Sequence, residues 1–264
     1  MLIGGINPIC SQQLKATGSD QQLHVVEVLP SADTLPANLL RMYVRFSKPM
    51  KPVGNLEKIH LISEEGNEVP GAIFNNVHEL WNREQTRLTI LLDPSRVKTG
   101  LLSHDERGRA LVQGRRYELV IDALTDVDDH MTAPFTKSFY VTEEDFSSPD
   151  SDLWHIKMPR AGSQTPLVIQ FPAMLDQLSL LQRLKLTDQE NRPVAGKVEI
   201  AHQETAWRFY PATDWKQGGY ILYVHSRLED PSGNNLNGLF DHKAGSLRND
   251  SEDTIESMII TIPE

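Results

Sequence analysis

The chain repeats itself at a fixed spacing, and that confines it to folds that can be built twice. Met42, Val44 and Phe46 alternate with Tyr43 and Arg45; 125 residues on, Leu167, Ile169 and Phe171 alternate with Val168 and Gln170. The same offset carries Ile59 and Leu61 onto Leu184 and Leu186, and Val69, Gly71 and Ile73 onto Val194, Gly196 and Val198. Farther on it shortens: Thr86, Leu88 and Ile90 match Thr205, Trp207 and Phe209, and Tyr117, Leu119 and Ile121 match Tyr220, Leu222 and Val224. Most of the difference lies in residues 96–113, which stand where the second copy has the short turn 212–218. Loop backbone buried without partners is costly, so this insertion is expected on the surface.

The matched segments are short, run with a period near two, and are rich in β-branched and aromatic residues, which is strand patterning. About seven strands per copy is the number a small sandwich needs. The expected fold class is therefore all-β, with two immunoglobulin-like β-sandwich domains in tandem. Residues 176–183, with Leu178, Leu180 and Leu181, read as one helical turn. The polar, acidic stretch 143–152 reads as a linker, which places a first domain at 23–147 and a second at 148–264.

Composition removes several classes of function. A formal charge of −10 repels a nucleic-acid backbone, no run approaches the length of a membrane helix, and the single cysteine, Cys10, permits no internal disulfide. Residues 1–22 are expected to be a flexible leader or the tail of an export signal. Export to the periplasm or cell surface follows from the second reading, and a cytoplasmic protein follows if Met1 is the true start.

The run from Leu35 to Met50 resembles the opening strand of the bacterial Ig-like domain family of the S-layer-protein type. Gly219-Tyr220-Ile221-Leu222, followed by Leu228 to Asn234, resembles that family's last turn, where a Gly-Asn pair follows an acidic residue. Together with Leu80-Trp81 and the stretch from Leu91 to Leu101, the chain is similar after His24 to uncharacterised, generally exported two-domain bacterial proteins. The resemblance implies a structural or adhesive module without a common active site. The first copy departs from it at Asp129, which stands where the last turn has glycine.

Candidate sites are few. Asp126, Asp128 and Asp129, and Asp230, Asn234 and Asn235, offer hard oxygen atoms suited to Ca²⁺, yet the same residues are common in turns because they bond their own backbone. Trp81 and Trp154 are candidates for a sugar platform, whereas Trp207 and Trp215 read as core, and Tyr117 and Tyr220 as tyrosines that tie a corner. Arg96, Lys98 and Arg107 in the insertion are candidate ligand contacts, with His104, Asp105 and Glu106 beside them. The nine histidines show no zinc spacing, and no nucleophile elbow or phosphate loop occurs. The expectation is a non-catalytic module with no cofactor, binding a protein or cell-surface polymer. The alternatives are a carbohydrate-binding protein, or an enzyme with an interdomain site built from carboxylates such as Glu79, Asp93 or Glu204.

Overall fold

Met42, Val44 and Phe46 turn inward from one strand and are all but inaccessible, as the alternation requires. In the computed structural model, which describes residues 22–75, 78–98, 107–241 and 253–264, that strand is β3 (Arg41–Phe46). It lies in a four-stranded sheet ordered β1-β3-β6-β5, with β1 (Val25–Leu29), β5 (Leu80–Trp81) and β6 (Arg87–Leu91). A second sheet, ordered β2-β8-β7-β4, comprises β2 (Thr34–Pro36), β4 (Ile59–Ser63), β7 (Arg116–Ile121) and β8 (Phe135–Thr142). All its ladders are antiparallel except that of β2 with β8. Inward residues of both sheets form one core running from Leu23 to Val141.

The remaining strands follow the same plan. One sheet is ordered β12-β13-β10-β9, from β9 (His155–Lys157), β10 (Leu167–Gln170), β12 (Gly196–Ala201) and β13 (Ala206–Pro211). The other is ordered β11-β14-β15, from β11 (Leu184–Asp188), β14 (Gly218–His225) and β15 (Ile255–Ile262). Between them lies a second core, from Leu167 to Ile262. Cross-strand partners correspond as well: Met42 faces Ile90 and Val44 faces Leu88, while Leu167 faces Phe209 and Ile169 faces Trp207. Ile59 faces Ile121, and Leu184 faces Val224.

Helix is confined to short turns. Helix α1 (Pro94–Val97) is capped by Asp93, and α2 (Gln177–Arg183) by Asp176, whose carboxylate accepts from the Ser179 amide at 2.8 Å. The corner tyrosines tie their turns as expected. Tyr117 Oη accepts from the amide of Val112, and Tyr220 Oη from that of Lys216.

Two expectations need correction. The match of Val69, Gly71 and Ile73 to β12 does not make a strand in the first half, where only the bridges Ile62–Glu68 and Ile73–Leu92 form. Pro70 has no amide to give to a ladder and Gly71 takes a left-handed φ of 61°, so the segment turns instead. Nor is the insertion wholly superficial. Its described ends, Arg96, Val97, Ala110 and Leu111, are buried, and Leu111 belongs to the first core. Residues 99–106, with His104, Asp105 and Glu106, lie outside the described residues, as do Cys10 and the leader to residue 21.

Candidate functional site

Strand β3 alternates, so Arg41, Tyr43 and Arg45 leave the first core outward. Arg45 is exposed and pairs with Glu27 on β1, an arrangement worth little in water. Tyr43, however, is only 3% exposed, and its cross-strand neighbour Leu29 only 1%. The C-terminal half covers them. Tyr43 Oη donates to Asp176 Oδ2 at 2.7 Å, so the residue that caps α2 also docks it. Beside this pair Arg41 bonds Glu229 at 2.5 Å, and the Asp176 amide donates to the Glu229 carbonyl. Burial pushes the Tyr43 phenol up, with the Asp176 carboxylate adding to the effect. Burial also raises Glu229, against the opposing pull of the Arg41 guanidinium.

Three further contacts join the halves. Asn38 is 2% exposed and accepts from Ser232 Oγ and the Asp145 amide, while its own amide donates to the Asp145 carbonyl. Asn234 reaches that carbonyl from the other side. Glu204 accepts from the Ser31 amide through both carboxylate oxygens, and its burial raises its pKa against that bond. It is delivered by three successive left-handed residues, His202, Gln203 and Glu204, a conformation that L-residues adopt at a cost. Finally, Lys98 stands 4.4 Å over the Phe240 ring, and Arg109 bonds Glu144 and the Val97 carbonyl and lies 3.5 Å from Asp241.

These contacts change how the sequence candidates read. Arg96 is 5% exposed and donates to the carbonyls of Pro70, Gly108 and Arg109, so its guanidinium knits the insertion rather than facing a ligand. Lys98 is taken up by Phe240 of the other half. Arg107 is exposed, and its carbonyl also receives Arg96. Trp81 packs on Phe46 and donates to Glu79, whereas Trp154 sits edge-on to Phe171. The two rings lean on different cores and do not meet. Of the proposed carboxylates, Glu79 receives the amides of Asn55 and Leu56, Asp93 caps α1, and Glu204 holds Ser31, so the three are not brought together.

The acidic turns are the same turn built twice. Asp126 Oδ1 accepts the amides of Asp128 and His130 and its Oδ2 faces His130 Nδ1; Asp230 Oδ1 accepts those of Ser232 and Asn234 and its Oδ2 the Asn234 side chain. Asp129 adopts φ 67° where Gly233 adopts φ 82°, so the departure from glycine leaves the geometry unchanged. Asp126, Asp128 and His130 bring one ligand atom each within 4.8 Å of one another. Both Asp126 oxygens are already engaged, and an imidazole is a poor partner for Ca²⁺, so the donor set fits calcium badly. Burial opposes ionisation of Asp126, but the His130 and Asp128 amides and the His130 ring outweigh it and hold the carboxyl below its usual range.

What the sequence did not single out is a groove of about 200 Å³ over the Tyr43–Asp176 pair, walled by Arg41 and Thr89 on one side and by Gln182, Arg183, Arg227 and Glu229 on the other. The only local signal was an outward face written Arg-x-Tyr-x-Arg where small polar residues are commoner.

No protein-family model matches the chain, and no curated protein matches it. Among solved structures it is similar to CopC from Methylosinus trichosporium OB3b, with 15% identity and a TM-score of 0.32 over 47% of this chain and 97% of that one. It is similar to the N-terminal part of the bacterial S-layer protein SbsC, with 11% identity and a TM-score of 0.32 over 92% of this chain. The match spans 44% of that SbsC chain. The titin Ig tandem A164–A165 matches at 10% identity and a TM-score of 0.25, covering 87% of this chain and 90% of that one. Overlaps of this size are partial, and the all-β architecture rests on its own strand pairing. No helix among the described residues is long and apolar enough to cross a membrane.

Proposed function

We propose that the chain is a tandem of two immunoglobulin-like sandwiches, 23–147 and 148–264, that works as one stiff, non-catalytic binding module of an exported bacterial protein. On this reading its partner is a protein or polymer of the cell envelope. The observation that carries the proposal is the fate of the charged groups between the halves. Asp176 and Glu229 converge, as an interdomain active site would require, yet Asp176 is bound by Tyr43 and Ser179, and Glu229 by Arg41. Groups held in this way brace a joint and are not free to act as general acid or base. The corresponding strand orders and cross-strand partners of the two sheet pairs support the tandem reading.

Limited proteolysis with gel filtration tests the stiff joint. Cleavage is expected first within residues 147–152, where the chain is largely exposed, and the two fragments should stay together on the column because the contacts of Tyr43, Asn38 and Glu204 remain. Fragments that separate at once would refute it. Esterase, glycosidase, phosphatase and peptidase panels test the rest. Turnover abolished by Glu229→Gln or Glu204→Gln, with the fold intact, would show an enzyme.

A further inference from the structure

The groove between the halves has arginine N–H donors that its acids leave unused. The chain carries 26 Lys+Arg against 36 Asp+Glu, so acids are available to pair nearly every cation. Arg183, at the end of α2, nevertheless has no ion pair or hydrogen bond with any described residue, although it lines the groove. Arg227 spends its Nε on Asp253, and its two terminal nitrogens bond no acceptor among the described residues. Arg41 gives one nitrogen to Glu229 and keeps a buried Nε without an acceptor among the described residues. Arg87, whose guanidinium stands 6.0 Å from the Tyr43 ring, also has a buried Nε without an acceptor among the described residues. The acids beside them are Asp176, held by Tyr43 and Ser179, Glu229, bound by Arg41 through Oε2, and Asp253 on Arg227, so the charges balance while guanidinium donors are left over.

We propose that this groove binds the carboxylate of an acidic saccharide, with Arg183 and Arg227 as the carboxylate clamp and Gln182, Thr89 and Glu229 meeting the ring hydroxyls. A planar guanidinium presents two parallel N–H donors that match the two oxygens of a carboxylate. A volume of about 200 Å³ suits one sugar ring. The lining is polar except for Leu178, which suits a ring bearing several hydroxyls. An acidic peptide fits less well. Thr89 lies in β6, which is paired on both sides by β3 and β5, so no strand edge is open in the groove for an extended chain. Because the walls come from both halves, a bound sugar bridges them.

This inference rests on the reading of the chain as a binding module, and it names the ligand class. The test is calorimetric titration of the full chain with tetragalacturonate, with its methyl ester as uncharged control and tetraglutamate as the peptide arm. Tetragalacturonate is expected to bind with a dissociation constant below about 1 mM, weakening as salt rises. Arg183→Ala should weaken it about 10-fold, and Arg183→Lys should recover only part because the fork is lost. Neither the ester nor tetraglutamate should bind measurably. The inference is overturned if tetragalacturonate does not bind, if the ester or tetraglutamate binds as well, or if Arg183→Ala changes nothing. Because Arg183 makes no hydrogen bond or ion pair with a described residue, its removal should leave the fragments associated after proteolysis. Failure to bind with associated fragments refutes the sugar site alone, and fragments that dissociate refute the stiff joint.

Discussion

Tyr43 and Asp176 are 133 residues apart and meet at 2.7 Å in the buried joint between the two cores, with the same carboxylate capping helix α2. One acid thus closes a helix and anchors it to the opposite sheet, so damage at either partner should reach the other.

Tyr43→Phe keeps the ring but withdraws the hydroxyl, leaving Asp176 one buried bond short. A loss of about 2 kcal/mol is expected, because the bond is made to a carboxylate and its acceptor stays buried. Asp176→Ala should cost more, since it also removes the helix cap, typically about 1 kcal/mol. Urea denaturation of the two variants and their double mutant measures the coupling. Strictly additive losses would show that the residues do not interact.

The twin acidic turns should respond differently to the same kind of change. At Gly233, φ is 82° and an added Cβ would sit 2.8 Å from Leu40 Cδ2 and 3.2 Å from Phe240, so Gly233→Ala meets both backbone strain and a clash. A loss of about 2 kcal/mol is expected. Asp129→Gly, in the exposed turn at φ 67°, should shift stability by less than about 1 kcal/mol. Equal effects in thermal melts would contradict the view that only the second turn is packed into the joint.

Stability should fall as pH rises between about 4 and 7. Burial pushes Asp230 up to about 7, with Asp145 adding to the rise and the bonds from Asn234 and Ser232 opposing it. Across that interval the folded chain holds a proton that the unfolded chain has released, so folding is favoured at the acidic end, and the contribution is constant above it. Glu204 and Glu229, also raised by burial, act with the same sign. Asp126 and Asp188, held low, matter only in more acid solution. Urea midpoints at pH 5 and pH 8 check this, and Asp230→Asn should flatten the slope. A slope unchanged by that substitution would assign the effect elsewhere.

Calcium should leave the melting temperature within about 1 °C at millimolar concentration, because the Asp126 and Asp230 oxygens are engaged by amide donors that a metal would have to displace. A rise of several degrees, lost in Asp126→Ala, would show that the turn opens to admit the ion.

The strand framework was legible because inward residues such as Met42 and Ile90 obey a period that burial imposes, and the shared offset matched positions that turn out to be paired alike in both halves. The turn at Asp129 was half legible. The glycine pattern located it, but only the φ angle shows that a short polar side chain tolerates the left-handed conformation. The joint was not legible. Tyr43 sits on a face that alternation assigns to solvent, and nothing local to Asp176 or Glu229 distinguishes a docking acid from a helix cap or a surface charge. Arg96 misled for a related reason: arginine is rarely buried, and the carbonyls that receive it come from backbone, which carries no signature in side-chain order.

The indole nitrogen of Trp207 lies buried in the second core without an acceptor among the described residues, in a ring stacked on Phe209, while Trp81 in the first half donates to a carboxylate at 2.8 Å. Two of the four tryptophans therefore report from unlike surroundings. Trp207 should emit toward the blue end of the indole range and shift sharply to the red when the second core admits water, whereas the emission of Trp81 follows the first. Single-tryptophan versions would let the melting of each half be watched by its own colour, and would show whether the two let go at one temperature.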